Sequence, residues 1–213
     1  MIERLGIIPA AGKAERWGGL LKEFLPLQGG VTLMDRTLSA LMIGGCDATL
    51  IITNRDKLQS HANHLKNWQI YYAIQLGAKD IWSAIVESLP MHGCINYFAM
   101  PDTYYPINIF TKMGNDHFNI GYADTDRPDQ CGVLTEHGIV NKQKMPHGIY
   151  KGWGVLSWSC QVAQFWIENI NNIKTYTQAF NMAIDNFGFS ITKMDYFYNM
   201  HSWNDYKELV NAG

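Results

Sequence analysis

An apolar run from Leu5 to Pro9 breaks directly into the small residues Ala10, Ala11 and Gly12, and the cations Lys13, Arg16 and Lys22 follow within a short distance. The apolar run reads as a buried strand. A small-residue turn behind it lets backbone N–H groups approach an anion that a large Cβ substituent would hold away. Arginine offers phosphate a fork of donors, and lysine a compact point charge. The same turn with one arginine and one lysine also serves as a plain structural connection in α/β proteins, so the reading depends on the rest of the chain.

The rest of the chain alternates. Leu33, Met34, Leu38, Leu41 and Met42 recur at helical spacing, and Thr49 to Thr53 is a second β-rich run. A helix is expected from about Asp56 to Leu65, a strand at Ile70 to Ile74, a helix from Ser83 to Leu89 and a strand from Ile95 to Met100, stopped by Pro101. Such an order favours a mostly parallel sheet flanked by helices, an α/β Rossmann-like domain with ligands beyond the carboxyl ends of its strands. Beyond about residue 115 the rhythm changes. Short strands are expected at Phe118 to Ala123, Gly132 to Thr135 and Gly138 to Val140, then helices near Cys160 to Asn169, Thr177 to Phe187 and Asn204 to Val210. No linker or repeat divides them, so residues 1–213 are expected to form one domain.

Composition narrows the partners. The 213 residues are 47% hydrophobic and 17% charged, with a net charge of −2. That balance gives no general attraction to nucleic acid or membrane, and a free nucleotide is the easier ligand to defend. The four cysteines, Cys46, Cys94, Cys131 and Cys160, form no CxxC pair. No cleavable leader or membrane-length apolar stretch is visible, and a reduced, cytoplasmic protein is expected.

Ala10, Ala11, Gly12 and Arg16, with Lys22, Phe24, Leu25, Pro26 and Leu27, resemble the opening signature of the sugar-phosphate nucleotidyltransferases, of the glucose-1-phosphate thymidylyltransferase kind. That family reads roughly Ala-Ala-Gly-x-Gly-x-Arg, then Lys-x-Phe-Leu-Pro-Leu. Ala14 stands where the second glycine is usual, and Glu15 where a small hydroxylic residue is common. The resemblance implies a GT-A-type fold, a nucleoside triphosphate and a sugar 1-phosphate as substrates, Mg²⁺ as cofactor and a possible homo-oligomer. It implies that Arg16 holds the leaving pyrophosphate and Lys22 the α-phosphate, beside a nucleotide loop of Ala10, Ala11, Gly12 and Lys13.

Asp102 follows the fourth strand, where a carboxylate points into the ligand crevice and could share Mg²⁺ with phosphate; otherwise it caps the next helix, around Pro106 to Met113. In the family an Asp at this place binds the catalytic metal. A late Asp or Asn completes that site, and Asn199 is the matching residue, while Asp205 falls in the first turn of the terminal helix. Gln75 ends the third strand; an amide there suits a pyrimidine edge, as the family uses it, or is simply an exposed strand end. Lys144, with Lys142, stands near Pro146 where the family has Glu-Lys-Pro at the sugar phosphate, but the acidic residue is missing. Gly154 opens a strand that in the family lines the sugar pocket, although strand packing alone would also explain a glycine.

Two other classes are carried alongside. Asp124-x-Asp126 has the form by which GT-A glycosyltransferases hold a metal-bound nucleotide sugar, while the surrounding Asp-Arg-Pro-x-x-Cys-Gly-Val resembles the nucleotidyltransferase segment instead. A non-catalytic nucleotide or sugar-phosphate sensor is the third reading, motivated by Ala14, Asn199 and the incomplete Glu-Lys-Pro element. His61 and His64 share a helical face, but a pair with no third ligand is expected to be structural. Most tryptophans are expected in the core or at its rim, with Trp17 beside the phosphate loop as the exception.

Overall fold

A computed structural model describes residues 2–12, 17–18, 20–76, 80–114, 116–141 and 145–212. In chain order its first half contains β1 (Arg4–Pro9), α1 (Leu33–Ile43), β2 (Ala48–Thr53), α2 (Arg55–His64), β3 (Ile70–Ile74), α3 (Ile81–Ser88) and β4 (Ile95–Ala99). Next come β5 (Thr103–Tyr104), α4 (Ile109–Lys112), β6 (Phe118–Thr125), β7 (Val133–Thr135), β8 (Gly138–Val140) and β9 (Tyr150–Ser159). The chain ends with α5 (Cys160–Glu168), α6 (Tyr176–Phe187), β10 (Ser190–Lys193), β11 (Tyr198–Asn199) and α7 (Trp203–Ala212).

The expected alternation is present, and local chemistry explains where the helices begin. Thr32 caps α1 in a reciprocal box with Asp35, Asn54 caps α2 through the Lys57 N–H, and Asp80 caps α3 through the Ser83 N–H. The helix expected around Pro106 to Met113 shrinks to the four residues of α4. A run that short has no amphipathic period of its own and takes its shape from packing.

Strand order in the main sheet is β10-β6-β9-β4-β1-β2-β3, with β7 and β8 attached beside β9. β1 to β4 are mutually parallel, and β9 runs antiparallel between β4 and β6. Side-chain alternation divides the core between the two faces. Leu5, Ile7, Leu50, Ile52, Phe98 and Trp158 pack with α3, α5 and α6, whereas Ile8, Ile51, Tyr97, Ala99 and Val155 pack with α1 and α4. All six residues of β2 are therefore buried.

Two edges of this frame were not legible in the sequence. β10 extends the sheet beside β6, and β11 pairs with β5 in a separate antiparallel ribbon. Trp17 is also a core residue. It is buried with Leu25, Leu33 and Met200, its ring 4.7 Å from that of Trp203.

Candidate nucleotide site

The chain lays down β1, β2 and β3 outward in one direction and then returns to place β4 on the other side of β1. At such a reversal the two connections leave in opposite directions and open a crevice beyond the carboxyl ends. Its walls are the loop after β1 and the segment after β4. Among the described residues these stretches carry Ala10, Ala11, Gly12, Lys22 and Asp102.

Lys22 opens a short 3-10 turn, Lys22–Phe24, and its ammonium donates to Oδ2 of Asp102. The partners lie 80 residues apart in sequence, and the strand order alone brings them together. Asp102 is buried, and its other oxygen, Oδ1, has no hydrogen-bond partner among the described residues. It does not cap α4, which starts after Asn108. Instead it holds Lys22 with one oxygen and presents the other bare.

The small ribbon brings the backbone of Asn199 and Met200 alongside Asp102 and Thr103. The β5–β11 register sets Asn199 opposite Thr103, and the Met200 N–H donates to the Asp102 carbonyl at 3.0 Å. A carboxylate with one unpartnered buried oxygen is a donor that fits Mg²⁺. That cation takes few protein ligands and fills the remaining positions with water and phosphate oxygens. No group of three or more His, Cys, Asp or Glu that could hold a metal occurs among the described residues.

Gly12 is exposed, and a Cβ built on it meets nothing within 4 Å among the described residues. Gln75 is buried at the end of β3, its amide donating to the Asp80 carbonyl at 3.2 Å. Gly154 is the extra residue of a bulge, since Gly121 pairs with Val155 and Tyr122 with Trp153. A Cβ at Gly154 would lie 2.4 Å from the Phe197 ring, so this ring occupies the space that glycine leaves. Lys13, Ala14, Glu15, Arg16, Lys142 and Lys144 lie outside the described residues.

Asp124 lies at the exposed end of β6, paired with Lys193 at 2.7 Å. Arg127 makes a different link. It donates to Asp205 at 2.7 Å, and Asp205 also accepts from the Ser202 N–H at 2.6 Å, where α7 begins. Burial alone would raise the Asp205 carboxyl, but the Arg127 and Ser202 hydrogen bonds outweigh it and hold it below its ordinary value. The expected first-turn place of Asp205 is thus joined by a long-range partner that the sequence did not disclose.

A buried polar network lies beneath the β1 loop. Glu23 is 1% exposed, and its Oε1 accepts from Lys57 Nζ and pairs with His61 Nε2, each at 3.0 Å. The other ring nitrogen of His61 meets Thr53 Oγ1 at 2.7 Å. Lys57 also donates to the Ala10 carbonyl at 3.3 Å, and Asn54 Nδ2 to the Ala11 carbonyl at 2.8 Å. The other histidine of the pair, His64, stacks on Phe24 at 4.1 Å. Both rings are committed to protein contacts, as their helical spacing without a third ligand had suggested.

Burial pushes the Glu23 carboxyl upward, yet the His61 hydrogen bond and the Lys57 charge together bring it below its ordinary 4.5. A lowered carboxylate stabilises the fold fully above its unfolded value and loses that contribution as pH falls through the folded one. Acid unfolding below about pH 4.5 should therefore be steep in the wild type and shallower in Glu23→Gln, as followed by circular dichroism across a pH titration. Equal slopes would remove Glu23 from the account.

Comparison with known proteins bears on the fold. Residues 6–85 match the family model described as the MobA-like NTP transferase domain. No curated protein sequence matches the chain. Among solved structures, a protein designated a glucose-1-phosphate thymidylyltransferase from Bacillus anthracis, in complex with sucrose, superposes with a TM-score of 0.82 at 17% identity, covering 98% of this chain and 94% of that one. The inositol-1-phosphate CTP transferase of T. maritima gives 0.72 at 16% identity, over 98% of this chain and 95% of its own. UTP-bound UGPase from Acinetobacter baumannii gives 0.76 at 15% identity, over 100% and 93%. The chain shares the fold of these proteins over nearly its whole length, and the family match over residues 6–85 includes the β1 loop.

Proposed function

We propose that the protein is a nucleotidyltransferase that joins a nucleoside triphosphate to a sugar 1-phosphate and releases pyrophosphate. The observation that carries this reading is the meeting of Lys22 with the half-bare carboxylate of Asp102 at the sheet's reversal point. The family match over residues 6–85, where Lys22 lies, supports it. The three structural neighbours are named for thymidylyl transfer, CTP and UTP. The fold therefore accommodates more than one pyrimidine, and Gln75 is the residue we assign to the base edge.

In this reading an acceptor phosphate oxygen attacks the α-phosphorus in line. The nucleophile is already an anion and needs no general base. What the protein must supply is positioning and charge neutralisation for two polyanions. Lys22 turns from Asp102 to the α-phosphate, Arg16 and Lys13 meet the leaving pyrophosphate, and Ala10 to Gly12 form the backbone cradle. Asp102 and Asn199 would hold Mg²⁺, which when bound neutralises phosphate charge. Lys144 is the residue we assign to the sugar phosphate, whereas Gly154, with the Phe197 ring filling its space, serves packing rather than the sugar. We place the reaction in the cytoplasm, where triphosphates are available.

A screen of four triphosphates against a small set of phosphorylated sugars and alcohols, read by pyrophosphate release, tests the proposal. At least one pair should release pyrophosphate in the presence of both substrates and Mg²⁺. Binding of triphosphate without turnover across the panel would favour a sensor, and consumption of a finished nucleotide sugar without pyrophosphate a glycosyltransferase.

A further inference from the structure

Two side chains outside the family signature reach consecutive carbonyls of the β1 loop. Lys57 Nζ donates to the Ala10 carbonyl at 3.3 Å and Asn54 Nδ2 to the Ala11 carbonyl at 2.8 Å. In a planar trans peptide the carbonyl of one residue and the N–H of the next point in opposite directions. Drawing the Ala10 carbonyl toward Lys57 therefore aims the Ala11 N–H away from it, and drawing the Ala11 carbonyl toward Asn54 does the same for Gly12. Gly12 is exposed, and a Cβ built on it meets nothing within 4 Å among the described residues.

We infer that Lys57 and Asn54 are positioning residues that turn successive N–H groups of the β1 loop outward as an anion cradle for the triphosphate. This rests on the nucleotidyl-transfer reading and deepens it. A lysine with one hydrogen bond to a surface carboxylate would not be fixed enough for this purpose. Here Lys57 is buried, and Glu23 binds its ammonium from the other side at 3.0 Å. His61, itself fully buried and held by Thr53, fixes the same Glu23 oxygen. Asn54 is fixed as the α2 cap, its oxygen accepting from the Lys57 N–H at 3.0 Å while its amide nitrogen reaches the loop. One amide thus sets the helix start and the loop orientation together. Neither residue touches substrate in this account, because both act through the peptide planes they orient.

The test uses inorganic tripolyphosphate and Mg²⁺ as probe, with affinity measured by calorimetry on the full chain. Asn54→Ser keeps a capping hydroxyl but is too short to reach Ala11, and Lys57→Met paired with Glu23→Gln removes both buried charges together. Each should weaken tripolyphosphate binding about tenfold, near one hydrogen bond's worth. Adding the probe should shift the Ala11 and Gly12 amide resonances in the wild type and leave them nearly still in the variants. A nucleoside with no phosphate should bind all three proteins alike, which a general loss of structure would not allow. Folded variants with wild-type affinity and wild-type amide shifts would overturn the inference alone. A wild type that binds neither tripolyphosphate nor any triphosphate would overturn the nucleotidyl-transfer reading as well.

Discussion

Asp102→Ala is expected to lower pyrophosphate release by about 10²–10³-fold, while the protein stays folded. The size follows from what the residue would do in the reaction. Losing one preorganised electrostatic partner of a transition state typically costs about 10²–10³ in rate. Asp102 would be the anionic anchor of the Mg²⁺ site, with Asn199 contributing only a neutral amide. Its fold contribution is smaller, since removal leaves Lys22 in a partly open position from which the ammonium can reach water; its side chain is 26% exposed. Asp102→Asn makes the sharper comparison because it keeps the shape and removes the charge. Turnover within a few-fold of wild type in either variant contradicts the assignment, and circular dichroism checks that the fold is intact.

Glu23→Ala should be the most destabilising single change in the site region, at about 3–5 kcal/mol, the usual result of stranding a buried charge. Among the described residues it leaves the buried Lys57 ammonium with the Ala10 carbonyl as its acceptor, and it strips His61 of the partner on Nε2. Adding Lys57→Met to this variant should recover a large part of the loss, because the charge that Glu23 compensated is then gone. Chemical denaturation of the two single variants and the double variant measures the coupling. Additive losses would show that the buried pair carries no shared energy.

These two residues also mark how far the sequence could be read. Strands β1 to β4 and the helices between them follow from hydrophobic periodicity and caps, and Asp102 follows from its place after an apolar strand. The β5–β11 ribbon does not, because two-residue strands have no alternation to detect. Asn199 was therefore picked out by the family resemblance rather than by pattern. Lys57 was invisible for another reason. A lysine in a polar helix reads as a surface residue, and its burial depends on a glutamate 34 positions earlier. At Gly154 the sequence allowed a sugar contact or packing, and the Phe197 ring against it belongs to a segment too irregular to have been placed in advance.

The most direct test of the central claim follows the phosphate itself. A sugar 1-phosphate labelled with oxygen-18 in its phosphate, once the panel has identified the acceptor, is incubated with unlabelled triphosphate and Mg²⁺, and the products are read by phosphorus-31 isotope shifts. Attack of the acceptor phosphate on the α-phosphorus predicts that the label appears in the nucleotide sugar and that the pyrophosphate carries none. Labelled pyrophosphate, or hydrolysis of the triphosphate with the acceptor left unchanged, would contradict it.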